Sequence, residues 1–418
     1  MLPPERALAT AVSVSRPTVT AALDELRGEG LLVSRQGSGT RVASLAPAPP
    51  GPTLVERALG DAPINLAAPV PPVLPPNLDL AVSAADVAAL DPAHGYDPVG
   101  RWSLRSAIAG RWSELGVDVA PERVLVTNGA HHGLAVAIGA LLEAGDRVLV
   151  EHYTFGGILD LLDDRHAAPL PLAMDDVGVD PADLDRRLRR GDARVVILQP
   201  TVHSPTGRTS TSERVRQLAE VLDEHAAIVI TDDSLADLHH VDRPDSLAAH
   251  CRRAEVVTIT SFSKSVWGGF RVGFLCASEA LFPTLARQRA RRDLGTSPIA
   301  QLVVERLLPD VDGVLADRRR SLAERSSAAA RALAGALPDW EVAAPTGAAM
   351  VWCRLPIDDA AIFADWARRH GVGTLPGSAV RVGRGADPHL RVATDLEWGI
   401  MGPGIDRLAD GWRAWRGA

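Results

Sequence analysis

The sequence predicts an α/β domain built on a mainly parallel sheet, preceded by a short winged helix-turn-helix. Three observations carry that expectation. Short apolar, β-branched runs alternate with amphipathic helical stretches from about residue 64 onward, the pattern of parallel strands joined by crossover helices. Residues 1–43 instead read as helix, turn, helix and hairpin. Between them, residues 44–63 are rich in proline and alanine and read as a semi-rigid linker.

In the opening segment the spacing predicts a short helix from Glu5 to Ala11, a turn at Val12-Ser13-Val14 and a second helix from Arg16 to about Arg27. Ser15 is placed to cap that helix, and Pro17 sits in its first turn, where a missing N–H costs nothing. Val19, Ala22, Leu23 and Leu26 recur at helical spacing and predict one buried stripe. Gly28 and Gly30 stop the helix. Leu31 to Arg35 and Thr40 to Ala43 flank Gln36-Gly37-Ser38-Gly39, which reads as a hairpin with a glycine-rich tip. Five arginines against four acids give this segment a net charge of +1, leaving −9 on the remainder of a chain whose total is −8. Any DNA binding there rests on where the arginines stand and not on bulk charge.

In the body, Val124–Val126, Arg147–Val150, Val195–Leu198, Ile228–Ile230 and Val256–Ile259 read as strands. Chemistry-bearing residues follow four of them directly, at the strand ends where open α/β sheets place ligands. Thr127-Asn128-Gly129-Ala130-His131-His132-Gly133 opens an apolar helix, whose first N–H groups suit a phosphate. Glu151-His152-Tyr153-Thr154-Phe155 puts aromatics at a strand end, where core packing explains them as well as ligand contact does. Thr231-Asp232-Asp233-Ser234 offers a carboxylate for a ring nitrogen or for helix capping. Ile259 leads into Ser261-Phe262-Ser263-Lys264, with Arg271 seven residues on. Lys264 is the only lysine in 418 residues, the other 43 basic side chains being arginine. Arginine replaces lysine in salt bridges but not as an amine nucleophile, because it keeps its proton. Lys264 is therefore the candidate covalent site.

Composition narrows the classes. No apolar run approaches bilayer length, and Met1 to Arg6 lacks a signal-peptide stretch. Cys251, Cys276 and Cys353 are widely spaced and odd in number, which opposes a disulfide framework and fits a reducing cytosol. The histidines show no metal-ligand spacing, so no metal is expected.

Together the segments over about residues 64–418 resemble the fold-type I pyridoxal-phosphate enzymes, the aspartate aminotransferase superfamily, with Ser-x-Ser-Lys…Arg the most specific motif. The resemblance implies a large domain over about 90–300 carrying the mainly parallel sheet and a small α+β domain over about 301–418. It implies pyridoxal 5'-phosphate held by Lys264 as an internal aldimine, with Ser261, Ser263, Arg271, Gly129 and Ala130 on its phosphate. Asp232 matches the acid that pairs with the pyridine nitrogen, keeping the ring an electron acceptor. Phe155 matches the aromatic that stacks on the ring. Tyr96, in Tyr96-Asp97-Pro98-Val99-Gly100, matches a residue that reaches the phosphate of a neighbouring subunit, which implies a homodimer. Arg391, in Leu390-Arg391-Val392, matches the arginine that grips a substrate carboxylate.

At the front, Leu2-Pro3-Pro4-Glu5-Arg6-Ala7-Leu8-Ala9, Val14-Ser15-Arg16-Pro17-Thr18-Val19 and Arg35-Gln36-Gly37-Ser38-Gly39-Thr40 resemble the GntR-type winged helix. A GntR head on an aminotransferase-like body resembles the MocR-family transcriptional regulators. The resemblance implies a cytoplasmic, domain-swapped dimer that senses an amine or amino acid by aldimine exchange at Lys264 and binds DNA. Arg16, Thr18 and Thr20 would face the major groove, with Arg35 and the wing near phosphates. The alternative is a pyridoxal-phosphate-dependent aminotransferase, or a related catalyst, with a vestigial DNA-binding segment.

The sequence departs from the pattern in three places. The family's first helix, which normally precedes Leu2-Pro3, is missing, which reads as a misassigned start or a truncated DNA-binding unit. Ser234 stands where a tyrosine hydrogen-bonds the cofactor's 3-oxygen, and Ser204, in His203-Ser204-Pro205-Thr206-Gly207, stands where an asparagine does the same. Losing both donors is expected to raise the aldimine pKa and weaken transamination. His203, His131, His132, His239, His240 or Tyr153 are the candidates to compensate.

Overall fold

The computed structural model describes residues 3–12, 14–28, 32–35, 39–42, 53, 60, 62–69, 80–90 and 94–417. The chain divides into two compact units, Met1–Thr53 and Leu54–Ala418.

In the first unit, helix α1 (Glu5–Ala11) precedes helix α2 (Arg16–Gly28). Strand β1 (Leu32–Arg35) pairs antiparallel with β2 (Gly39–Val42). Ser15 Oγ accepts the Thr18 N–H at 3.3 Å, which caps α2. Val19 and Leu23 are buried and pack with Leu8 and Ala9 of α1. Ala22 is exposed, so the buried stripe is narrower than its spacing predicts; a partner helix of seven residues covers the 19/23 row and not its flank. The side chain of Leu26, residues 30 and 31, the hairpin tip 36–38, residue 43 and most of the 44–63 stretch lie outside the described residues.

The second unit opens with the short strand β3 (Ile64–Asn65). Its main sheet is built from β4 (Val124–Thr127), β5 (Arg147–Glu151), β6 (Ala168–Leu172), β7 (Val195–Leu198), β8 (Ile228–Asp232), β9 (Glu255–Ser261) and β10 (Gly273–Cys276). The sheet order is β4-β10-β9-β8-β7-β5-β6. Every neighbouring pair from β9 to β6 is parallel, and β10 runs antiparallel to both β9 and β4. The five runs read from the sequence are five of these strands. β6, with the sequence Ala-Pro-Leu-Pro-Leu, lies at the sheet edge, where missing N–H donors are tolerated.

Side chains alternate across the sheet as a strand period of two requires. Val148, Val150, Ile197, Ile230 and Ile259 meet the helix Ala130–Leu141 on one face. Leu149, Val196, Leu198 and Val229 meet the helix Ser212–Glu224 on the other. Two covered faces explain why these strands are apolar throughout.

The C-terminal part carries an antiparallel sheet of order β11-β12-β15-β14, from β11 (Glu341–Val342), β12 (Met350–Arg354), β14 (Leu375–Pro376) and β15 (His389–Ala393). β13 (Val372–Gly373) pairs parallel with β3, which ties residues 64–65 to this part. Its core holds Phe363 against Trp412 and Trp340, edge-on at 5.0 and 5.8 Å between ring centroids. No helix among the described residues is long and apolar enough to cross a membrane.

Phe363 is fully buried in that aromatic cluster. Phe363→Ala should cost about 3–5 kcal/mol, read as a lowered urea midpoint in tryptophan fluorescence. An unchanged midpoint would mean the cluster does not hold this part together.

Candidate cofactor and ligand site

The parallel strands deliver their C-terminal ends to one edge of the sheet, and a cavity of about 370 Å³ opens there. Eleven residues singled out from the sequence line it: Ala130, His131, Phe155, Ser204, Asp232, Ser234, Ser261, Ser263, Lys264, Arg271 and Arg391. They come from separate elements. Ala130 starts the helix after β4, Asp232 ends β8, Ser261 ends β9, and Arg391 stands on β15 of the other sheet.

Lys264 is half-buried, and its Nζ donates to Pro69 O at 3.2 Å. Desolvation pushes the amine down to about 8, and the Arg391 charge adds to the shift, while Asp395 and Asp232 oppose it. Asp232 is buried, and that burial raises its carboxyl. The Ser234 N–H donates to Asp232 Oδ1 at 3.1 Å, which partly offsets the burial. Arg391 is 3% exposed and donates from Nη2 to Ala67 O at 2.5 Å; desolvation brings it down to about 10.

The turn after β4 and the segment after β9 close on each other. Arg271 donates from Nη2 to the Asn128 carbonyl at 2.7 Å, with φ at 50°. A left-handed arginine stores strain that its neighbours must hold. Gly129 has φ at 82°, and a Cβ there would lie 3.2 Å from Arg271 Nη1. Gly129 lies beside the cavity lining, keeping a guanidinium close to the start of the following helix. Ser261 Oγ accepts the Ser263 N–H at 3.0 Å. Ser263 Oγ is buried and has no hydrogen-bond partner among the described residues.

These residues suit pyridoxal phosphate. Ser263 Oγ is a buried hydroxyl left over for an anion. The Gly129 turn leaves open, beside Arg271, the space a side chain would fill. Asp232 is a buried carboxylate whose surroundings leave it raised, and a protonated ring nitrogen would relieve that. Phe155 lies on the cavity wall with His131 against it edge-on at 6.1 Å.

Several candidates stand elsewhere. Tyr96 is 61% exposed and does not line the cavity of its own chain. Tyr153 also lies off the cavity: its hydroxyl donates to Asp387 Oδ2 at 2.7 Å and contacts His389 Nδ1 at 3.1 Å. The expectation that Tyr153 compensates for the missing donors in the site is therefore corrected, because its hydroxyl is held by Asp387 and His389. Among the five histidines considered, only His131 lines the cavity. His203 is turned to Tyr153 O at 2.9 Å and Thr206 Oγ1 at 2.8 Å. His132 meets the buried Arg289, and His239 meets Val241 O. Gln199, Leu134, Leu235, Met350 and Pro69 line the cavity without having been singled out. Gln199 brackets the Ser204 backbone, accepting from its N–H at 3.0 Å and donating to its carbonyl at 3.1 Å. A cluster of Asp185, Glu224 and His225 could hold a metal, but it shares no residue with this cavity.

In the first unit, Arg16 is exposed and lies 3.7 Å from Glu5 Oε2, which also accepts from Thr20 Oγ1 at 3.1 Å. Thr18 is exposed beside Ser15, with their hydroxyls 2.7 Å apart. The Arg35 side chain lies outside the described residues.

Residues 63–397 match the family Aminotransferase class I and II, and residues 1–42 match Bacterial regulatory proteins, gntR family. The chain belongs to the MocR family. Its relatives include the HTH-type transcriptional regulator YdcR of Escherichia coli (strain K12), 30% identical over 72% of this chain and 66% of that one. They also include the HTH-type transcriptional regulator YisV of Bacillus subtilis (strain 168), 27% identical over 84% and 78%. The HTH-type transcriptional regulator NorG of Staphylococcus aureus (strain N315) is 26% identical over 85% and 87%. This MocR-family chain thus spans just under two thirds of the length of YdcR and more of the other two. Among solved structures it is similar to LysN, the α-aminoadipate aminotransferase of Thermus thermophilus, complexed with N-(5'-phosphopyridoxyl)-L-leucine. The TM-score is 0.79 at 25% identity, over 87% of this chain and 95% of that one. Kynurenine aminotransferase from Pyrococcus horikoshii shares the fold, with a TM-score of 0.76 at 22% identity over 87% and 93%.

A lysine lowered from 10.5 to about 8 changes its reactivity with pH in a defined direction. It is charged and unreactive below about 8 and a free nucleophile above it. Labelling of the Lys264 peptide by trinitrobenzenesulfonate, followed by mass spectrometry, should rise with a midpoint near 8. Arg391→Met should move that midpoint upward, because it removes a positive charge beside the amine. A midpoint near 10.5 in the parent chain would mean that the amine is solvated.

Proposed function

We propose that this MocR-family protein is a cytoplasmic, pyridoxal-phosphate-binding transcription regulator that senses an amine or amino acid at Lys264 and controls DNA binding as a homodimer. The observation that carries the reading is the placing of the chain's one lysine in a cavity with Asp232, Ser263 and Arg391, in a chain that also has a gntR segment. The phosphopyridoxyl ligand of the structural neighbour LysN supports the choice of cofactor.

When bound, pyridoxal phosphate supplies a reversible carbonyl for primary amines and a ring that accepts electrons. The protein's residues then divide the work. Lys264 supplies a neutral amine near pH 8 and holds or releases a proton at Nζ. Asp232 orients the ring nitrogen and keeps it protonated. Ser261, Ser263, Arg271 and the Gly129–Ala130 turn take the phosphate, while Phe155 closes one face and excludes water. Ser204 and Ser234 bring short hydroxyl-bearing side chains where longer donors stand in aminotransferases, which favours holding a ligand over turning it over. Arg391 takes a carboxylate in place of the Ala67 carbonyl. Tyr96, exposed on its own chain, reaches the phosphate site of a second copy. Arg16, Thr18 and Thr20 face the major groove from α2, and Arg35 follows the wing to a phosphate.

The same cavity sets an amine beside a carboxylate clamp, which is also the arrangement amino-group transfer needs. Steady turnover of an amino donor with a keto acid, indifferent to deletion of residues 1–43, would make the chain an enzyme instead.

Borohydride treatment of the cofactor-loaded protein should leave a pyridoxyl group on Lys264, seen by mass spectrometry, and Lys264→Ala should leave none. An adduct that persists in Lys264→Ala overturns the assignment. On DNA, Arg16→Ala should weaken operator binding and reduce the slope of log affinity against log salt by about 1. An unchanged affinity and slope would remove Arg16 from the interface.

A further inference from the structure

We propose that the amino acid this site takes has a single carboxylate and an aliphatic side chain, and that Met350 and Leu235 select it. The inference rests on the ligand-sensing reading above and goes further by naming the ligand class. It begins with the two fixed ends of the cavity. Lys264 marks where the ligand amine goes, and Arg391 marks where its carboxylate goes. Arg391 Nε is buried with no hydrogen-bond partner among the described residues, so the guanidinium has a donor left for an oxygen anion.

What lies beside that clamp decides the third substituent. On the small sheet, Trp352 pairs with Arg391 and Met350 pairs with Ala393. Residues two apart on a strand project to the same face, so Met350 and Arg391 share one, a diagonal pair within side-chain reach. Met350 and Leu235 belong to one buried apolar cluster with Val202, Leu238, Leu322 and Ala349. Both also line the cavity, so this cluster forms part of its wall. Pro69 lies on the wall as well, its carbonyl already accepting from Lys264 Nζ. Gly207 packs behind this wall: it sits at φ 67°, and a Cβ there would lie 2.8 Å from Met350 O and 3.0 Å from its Cγ.

A charged ligand group placed against Met350 and Leu235 would lose hydration that their apolar side chains cannot replace. An aliphatic group would instead exchange water for Met350, Leu235 and Pro69. Methionine suits the role because its unbranched thioether adapts to side chains of different length.

The test titrates the cofactor-loaded protein with glycine, alanine, 2-aminobutyrate, norvaline, aspartate, glutamate and lysine. Visible absorbance and calorimetry are read side by side. Half-saturation should fall about fourfold for each added methylene up to norvaline, with aspartate, glutamate and lysine at least tenfold weaker than norvaline. Met350→Ala should flatten the series, because it removes the wall that the methylenes meet. A stronger response to aspartate, glutamate or lysine, or no trend with chain length, overturns the assignment while leaving exchange at Lys264 intact. A calorimetric trend with no change in absorbance keeps the apolar site and sinks the exchange reading instead. No heat and no absorbance change with any of the seven overturns both.

Discussion

An amine inside a protein is reactive at neutral pH only when its charged form is made costly, and the site depends on that constraint at Lys264. Desolvation supplies most of the effect and the Arg391 charge supplies more, while Asp232 and Asp395 pull the other way. The outcome, about 8, leaves the amine divided between its two forms near physiological pH. A lysine set deeper would lose its proton permanently, and one set in solvent would rarely lose it. The same acid that tempers the lysine is itself raised by burial. Burial thus acts on both groups in the same sense, disfavouring the charged form of each.

That balance needs groups from distant parts of the chain. The main sheet brings Asp232 and the Ser261–Lys264 segment to neighbouring strand ends, because β8 and β9 are parallel partners in register. The Gly129 turn arrives from β4, across the antiparallel β10. Arg391 comes from the other sheet altogether. Parallel strands make this possible by ending together on one edge, and crossover helices keep that edge open by packing on the faces.

Much of this is legible in residue order alone, and what is not has physical reasons. The five central strands announce themselves because burial on both faces demands continuous apolar runs. β6 does not, since its two prolines resemble a loop until its edge position is known. β10, Gly-Phe-Leu-Cys, lacks the β-branched residues that mark those five. The segments that carry Gly129, Asp232 and Lys264 stand out because each lies at the end of a strand. The same rule applied to β7 reaches Gln199, which follows Leu198 and brackets Ser204. Met350 and Leu235 carry no such signal, because an apolar wall looks like core until the cavity beside it is seen. Tyr153 shows the converse: a rare residue in a suggestive place, turned away to Asp387.

The segment 64–69 connects these observations. Its start is paired with β13 as strand β3, and the Ala393 N–H donates to Leu66 O at 2.7 Å. Ala67 O then accepts from Arg391 and Pro69 O from Lys264. Three consecutive residues, Ala67 to Pro69, thus run between the two cations that a ligand would engage. A carboxylate arriving at Arg391 competes with one of those carbonyls, and an amine that displaces Lys264 frees the other. Under the proposed reading, ligand binding cannot leave this segment's contacts unchanged, whatever the ligand's side chain. The segment also follows directly on the stretch of sequence that leads back to the gntR unit. Reciprocity requires that whatever the ligand does to this segment, a constraint on the segment does in return to ligand affinity. The contacts of Ala67 and Pro69 are therefore the first place where a response to the ligand should be sought under that reading.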